Sequence, residues 1–132
     1  MANPQFGPVA STETYVSDAL IAGSYPIATD SVTIASSAAL TRGTVLGQIT
    51  ASGKFIKSAS AASDGSQTII AILAQDTDAS GGDVAGAPVY LTGEFNAASV
   101  TLGAGWTAAT AKVSARPYGI FLKGNVLPSD PV

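Results

Sequence analysis

Apolar and polar residues alternate over short stretches of this chain, a pattern typical of half-buried β-strands, and turn residues separate the stretches. The longest such series occupies residues 40–95, where Gly, Ser and Asp cluster between the apolar segments. Its middle segment, residues 69–74, reads IIAILA and does not alternate. A helix is the competing interpretation, but the short length, the isoleucines and the flanking turn residues favour a strand buried on both faces.

Segments upstream of this run also predict strands. Residues 31–35 alternate between apolar and polar side chains. Residues 44–50 and 54–57 predict a hairpin that turns at Ser52-Gly53.

The segment after the apolar run is expected to form a single strand that begins at Pro88, because proline at the first position removes no ladder hydrogen bond. Alternation then places Val89, Leu91 and Phe95 on one face and Glu94 on the other. No second carboxylate is placed with Glu94. It is therefore interpreted as a solvated or inter-subunit charge, not as a catalytic acid.

The apolar period changes in the C-terminal part of the chain. Trp106, Ala109 and Val113 recur at helical spacing, which predicts one short amphipathic helix over residues 106–116, ended by Pro117. The expected N-cap of this helix is Thr107 or a close neighbour. An apolar strand over residues 118–122 follows.

Residues 1–16 differ in composition from the rest and are predicted to form a flexible arm before a β-rich domain of residues 17–132. Ordering a residue costs roughly 1–2 kcal/mol, and the arm has few apolar side chains to offset that cost. A frayed terminus is the alternative. The strand preference and aromatic side chains of the arm instead suggest contact with a partner surface. Its candidate contact residues are Phe6, Thr12, Thr14, Tyr15 and Val16.

Composition points to a protein with extensive contact surfaces. The chain has 132 residues, which suggests one domain, and only 11% of them are charged, against about 25% in typical domains. A surface this poor in charge indicates that much of it contacts other molecules, although an ordinary β domain rich in small residues is the alternative.

The charge pattern argues against nucleic acid and membrane partners. The net charge is −3, and the six basic residues are scattered along the sequence without forming a basic stripe. No apolar run approaches the ~18–20 residues of a membrane span. No Lys or Arg precedes Arg42, so no secretory signal is expected, and synthesis in the cytoplasm is the interpretation.

The sequence offers little catalytic chemistry. It contains no histidine and no cysteine, which removes the commonest general base, the commonest metal ligand and all thiol chemistry. Only Lys or carboxylate groups remain as bases, so catalysis is disfavoured. No residue is assigned a catalytic, cofactor-binding or metal-binding role.

The acidic turn of residues 76–83 is the nearest approach to a metal motif. Asp76, Asp78 and Ser80 match the opening of an EF-hand calcium loop, but Ala87 stands where the bidentate glutamate belongs. Calcium needs six to eight oxygen ligands, so the favoured interpretation is an Asx-type turn, in which acidic side chains bond to nearby backbone.

Two glycine motifs are also near matches to nucleotide-binding loops. Gly103-Ala-Gly105 opens a G-x-G-x-x-A pattern, yet no strand with an acidic residue follows about 20 residues later. Gly53-Lys54 is followed by Phe55, where a phosphate-binding loop needs Ser or Thr. Both are interpreted as turns.

Three short motifs in fixed order carry a family resemblance: T-R-G-x-x-L, then A-I-L-A, then L-x-G-x-F. With the surrounding segments "DALIAGSYPIATDSVTIASSAALTRGTVLGQIT" and "APVYLTGEFN", they resemble the head decoration proteins of tailed bacteriophages, the lambda-type protein D family. The resemblance covers residues 12–95 well and the C-terminal helix and strand more loosely.

The resemblance implies an α+β fold: a small β-rich body of β-tulip-like barrel or sandwich type, one short C-terminal helix and a flexible N-terminal arm. It implies a trimer at three-fold sites of the expanded phage head. The arm would pair as an added strand with the major capsid protein. It further implies a structural role, cementing the outer surface of the capsid against packaged-DNA pressure, with no enzymatic activity and no cofactor.

Two other functions are left open by the residues. One is a different virion structural module, such as a tail-associated β domain, which would be found on tails instead of heads. The other is a small ligand-binding domain that uses the turn at Gly103, which a nucleotide would stabilise against heat.

Overall fold

The computed structural model describes residues 19–124, and the predicted arm of residues 1–16 lies outside them. The described chain forms short strands, one α-helix and one 3-10 helix. In chain order they are β1 (Thr29–Ile34), β2 (Ala39–Leu40), β3 (Val45–Gln48), β4 (Phe55–Lys57), β5 (Ala71–Leu73), β6 (Thr77–Asp78), β7 (Val84–Tyr90), β8 (Gly93–Asn96), α1 (Ala108–Ala115), the 3-10 helix (Arg116–Tyr118) and β9 (Ile120–Lys123).

Five of these strands close into a barrel in the order β1-β4-β3-β5-β7. Its pairs are antiparallel except β1–β4, which are parallel and meet at Ile34 and Phe55. Two small sheets accompany the barrel: β2 with β6, antiparallel, and β8 with β9, parallel. A β-rich barrel with one short helix confirms the predicted α+β class.

Strand β5 lies between the two apolar cores of the molecule, which confirms the prediction of a strand buried on both faces. Ile72 packs in a cluster with Val45 and Phe95, whereas Ala71 and Leu73 belong to the other cluster. All three β5 residues are fully buried. Both faces need apolar side chains, and therefore the sequence does not alternate here.

The hairpin over β3 and β4 also forms as predicted. Gln48 pairs with Phe55 and Leu46 with Lys57 in antiparallel register. Gly53 closes the turn at φ 74°, in the left-handed region that glycine adopts without a steric penalty.

The prediction of one strand beginning at Pro88 is wrong. Pro88 lies inside β7, and β8 is a separate strand that begins at Gly93. Pro88 is tolerated because it lies opposite the end of β5. The last residue of β5, Leu73, pairs with Val89, so the position where Pro88 lacks an N–H is beyond that strand. The break between β7 and β8 sends Val89 and Phe95 into different cores, so they do not share a face.

The helix forms, but the predicted apolar stripe is wrong. Its buried residues are Ala111 and Ala115, whereas Val113 is 65% exposed. Alanine on the buried face lets the helix backbone approach β9 closely. The N-cap prediction is confirmed, since the hydroxyl of Thr107 accepts a hydrogen bond from the backbone N–H of Thr110.

Strand β9 completes a small sheet at one end of the molecule. It pairs with β8 along its length, and on the other side of β8 a bridge joins Ile21 to Phe95. We call β8, β9 and residues 20–22 the small sheet. Ile120 and Leu122 of β9 are buried beneath α1, while Phe121 and Lys123 are half-buried on the alternate positions. Within residues 19–124, no helix is long and apolar enough to cross a membrane.

Candidate functional site

Residues near the two ends of the described chain lie on either side of Asn96 in the small sheet. The backbone N–H of Asn96 donates to the carbonyl of Leu20 at 2.8 Å, and Asn96 pairs in register with Lys123. Ala19, just before this contact, has φ 57°. The segments that precede Ala19 and follow Gly124 therefore join the body at the same end of the molecule.

Residues 21–28 are attached to this end by side chains of β8 and the turn before it. The Glu94 carboxylate accepts a hydrogen bond from the backbone N–H of Tyr25 at 2.7 Å. The hydroxyl of Thr92 accepts from Ala28 N–H and donates to the carbonyl of Pro26. A Cβ added to Gly23 would lie 2.5 Å from the Glu94 carboxylate, so a larger residue at this position would displace that side chain.

Glu94, which the sequence predicts to be a solvated or inter-subunit charge, forms an ion pair within the chain. Its Oε1 lies 2.7 Å from Nζ of Lys123 on the neighbouring strand. The hydrogen bond from Lys123, helped by the Tyr25 backbone N–H, holds the pKa of Glu94 below its ordinary value. A carboxylate held in its ionised form in this way is a poor general acid and acts here as a structural link.

A groove of about 420 Å³ lies between α1 and the small sheet. The rings of Tyr25 and Phe121 meet edge to face in it, 4.8 Å apart at 73°. We call this feature the helix–sheet groove. Its lining residues are Tyr25, Glu94, Lys112, Arg116, Phe121, Leu122 and Lys123.

The large exposed apolar side chains of the described chain lie at the same end. No barrel strand contributes a large exposed apolar side chain. Clustered aromatic and aliphatic side chains of this kind mark contact surfaces. The large apolar residues exposed by more than a third are Ile21, Tyr25, Ile27, Val113 and Tyr118.

Basic residues that are scattered in the sequence converge on the groove. Lys112 and Arg116 stand one helical turn apart, and Lys123 lies across from them. Neither Lys112 nor Arg116 forms an ion pair with any residue of the described range, whereas Lys123 is paired with Glu94. The groove therefore carries net positive charge on a chain whose net charge is −3.

Sequence reasoning did not find this groove. The spacing of Lys112 and Arg116 was a usable signal once a helix was predicted there. The contact between Tyr25 and Phe121 has no signal in the sequence, since the two residues are remote in the chain and meet only through the pairing of strands.

The carboxylates of the acidic turn each have a separate partner. Asp78 accepts hydrogen bonds from the backbone N–H and the hydroxyl of Ser80, which confirms the Asx-type turn and holds the pKa of Asp78 below its ordinary value. Asp83 pairs with Lys54. Within residues 19–124, no three metal-ligating side chains gather to form an ion site.

Gly103 and Gly105 form a turn that packs against the loop after β4. The carbonyl of Ala104 accepts a hydrogen bond from the N–H of Ser60, and Gly105 has φ 82°. Gly103 is buried against Ser58. These contacts give both glycines a packing role.

The candidate contact residues of the arm are outside the structure's described part. Phe6, Thr12, Thr14, Tyr15 and Val16 all precede Ala19, where the description begins. Their role remains a prediction.

The chain matches a known family over most of its length. A family model described as bacteriophage lambda head decoration protein D matches residues 9–117. The matched range includes the barrel, β8 and α1 and stops before β9. No curated protein matches the chain.

Proposed function

This chain belongs to the family of the bacteriophage lambda head decoration protein D, and from that premise we propose that it cements the phage head as a trimer. Family membership supports a capsid decoration role and a place in the virion. It also suggests a structural protein and not an enzyme. The match over residues 9–117 is the observation that carries the proposal.

In this proposal the protein occupies three-fold sites on the outer surface of the expanded head. After synthesis in the host cytoplasm it stabilises the shell against the pressure of packaged DNA. The low charge of the chain supports extensive contact with other molecules, because interface cores are depleted of charged residues.

The arm of residues 1–16 is proposed to bind the major capsid protein by strand addition. Its strand-prone residues suit this mode, in which main-chain hydrogen bonds supply affinity. The arm precedes a body of residues 17–132 whose described part begins beside the small sheet. The contact residues proposed within the arm are Phe6, Thr12, Thr14, Tyr15 and Val16.

Trimerisation would compensate for the weakness of one arm. An arm that orders on binding loses conformational entropy, which lowers its individual affinity. Three arms on one rigid trimer act at high effective concentration, typically worth ~10²–10⁴ in avidity. Binding would then depend on the spacing of acceptor sites, which changes when the head expands.

Co-sedimentation with expanded heads that lack decoration protein tests the proposal. We expect the full chain to bind and a chain beginning at Ser17 to lose most of its binding. Unexpanded heads serve as the control for spacing and are expected to bind less.

The outcomes separate the parts of the proposal. Binding by both chains would keep the decoration role and assign the contact to the body instead of the arm. Equal binding to expanded and unexpanded heads would contradict the spacing argument. No binding by either chain, on heads shown to accept another decoration protein, would overturn the function.

A further inference from the structure

We infer that the helix–sheet groove is a second contact with the shell, one that receives an acidic segment of the capsid protein. The inference rests on the proposed function and names a partner surface for the body of the molecule. It is independent of whether the arm adds as a strand.

The charge of the groove favours an acidic partner. Lys112 and Arg116 line it without an ion-pair partner in the described range, and Glu94, which also lines it, is already paired with Lys123. Two unneutralised cations beside apolar rings favour an anionic partner over a neutral one. The chain as a whole has a net charge of −3, so this local charge is opposite in sign to that of the molecule.

Exposed apolar side chains accompany the two cations. Val113 follows Lys112 on α1 and is 65% exposed, and Tyr118 ends the 3-10 helix that begins at Arg116 and is 49% exposed. Tyr25 is 41% exposed at the groove itself. Aromatic and Arg side chains together are the composition typical of the energetic centre of an interface.

The groove also lies near the point where the arm joins the body. The chain that precedes Ala19 joins the body beside the small sheet, because Leu20 and Lys123 flank Asn96. A capsid contact at this end of the body would therefore adjoin the point where the arm leaves it. The barrel strands, without large exposed apolar side chains, offer no comparable surface.

Helix electrostatics account for part of the pattern. Cations in the last turn of a helix interact favourably with its dipole, and Lys112 and Arg116 occupy that end. This effect concerns folding and does not require exposed rings beside the cations. A test must therefore separate binding from stability.

The experiment is a binding titration on expanded heads that lack decoration protein, with the arm intact in every variant. The test variant is Lys112→Glu with Arg116→Glu. A second variant, Lys112→Gln with Arg116→Gln, removes the charges and keeps polar side chains of good helix propensity. The control is Lys57→Glu, which reverses a single charge on barrel strand β4.

We expect the double Glu variant to bind ~10-fold or more weakly, because like charges placed opposite each other at an interface are costly. The double Gln variant should lose less affinity, and its binding should depend less on salt than that of the wild type. Lys57→Glu should bind as the wild type does. Thermal melting and sedimentation velocity of the free proteins verify folding and assembly.

Three results would overturn the inference. The first is unchanged binding by the double Glu variant. The second is loss of self-association in that variant, which would make the groove an interface between copies. The third is equal loss in Lys57→Glu, which would reduce the effect to net charge. If the wild type itself does not bind to heads shown to accept another decoration protein, the proposed function is overturned. Failure of the proposed function is thus distinguished from failure of the groove inference.

Discussion

At the scale of single residues, Gly103 shows how closely two loops approach. A Cβ at this position would lie 1.7 Å from the carbonyl oxygen of Ser58. Three hydrogen bonds hold Ser58 in place. Its backbone N–H donates to the carbonyl of Val45, and its hydroxyl donates to the carbonyl of Ser66 and accepts from the indole N–H of Trp106. The space at Gly103 is therefore set by three separate hydrogen bonds.

Gly103→Ala is expected to lower the free energy of unfolding by about 1–3 kcal/mol, the range for overpacking a fixed site. Gly81→Ala is the matched control, because nothing lies within 4 Å of a Cβ there. It should stay within about 0.5 kcal/mol of the wild type. Urea unfolding of the purified proteins measures both, and equal effects would contradict the packing argument.

At the scale of elements, the space between α1 and β9 determines which residues of this short helix are buried. Ala111 and Ala115 face the core and are fully buried, whereas the larger Val113 is exposed. The helix packs against β9, where Ile120 and Leu122 fill the space beneath it. Because the large side chains of β9 fill the space between the two elements, only small side chains fit on the facing side of α1.

Ala111→Leu should destabilise the protein by about 1–3 kcal/mol, since the added atoms have no space in a packed core. Ala109→Leu lies on the exposed side of the same helix and has a similar propensity change. It should be nearly neutral. Thermal unfolding compares the pair, and a larger loss in Ala109→Leu would show that the predicted stripe of Trp106, Ala109 and Val113 is the buried one after all.

At the scale of the whole molecule, surface character is divided between two ends. The barrel strands expose polar and small residues, while the other end carries the large exposed apolar side chains together with Lys112 and Arg116. Acidic side chains are distributed more widely and are held by local partners. The carboxylates with a lowered pKa are Asp64, Asp78, Asp83 and Glu94.

These carboxylates determine how stability depends on pH. A pKa below its ordinary value in the folded protein adds stability above that value, and this stability is lost as the pH falls through the folded pKa. The ordinary values are 3.8 for Asp and 4.5 for Glu. The sequence contains no histidine, so no side chain with an ordinary pKa titrates between about pH 5 and 8.

We therefore expect the melting temperature to be nearly constant from about pH 7.5 to 5.5 and to fall below about pH 4.5. The melting temperature of Glu94→Gln should fall less steeply than that of the wild type between about pH 5 and 3, because one carboxylate with a lowered pKa is absent. Lys123→Met should also fall less steeply, since it removes the main cause of the shift in Glu94. A melting series that runs parallel for all three proteins would contradict the role given to the Glu94–Lys123 pair.

Features that depend on neighbouring residues could be predicted from the sequence. The hairpin at Gly53, the N-cap at Thr107 and the turn at Asp78 each involve partners a few residues apart, so the local pattern is sufficient. The burial of β5 was also predictable, because a strand with two apolar faces has no polar alternation. The family resemblance followed from such segments and was confirmed by the family match.

Features that depend on distant neighbours were decided only by the tertiary structure. The division of residues 84–96 into β7 and β8 follows from Val89 packing in one core and Phe95 in the other. The helix–sheet groove exists because Tyr25 is held by Glu94 and Phe121 is placed by strand pairing. Sequence by itself determined which segments form strands and turns, since that depends on local propensity. Only the folded chain decided which side chains share a face, because that depends on contacts between remote segments.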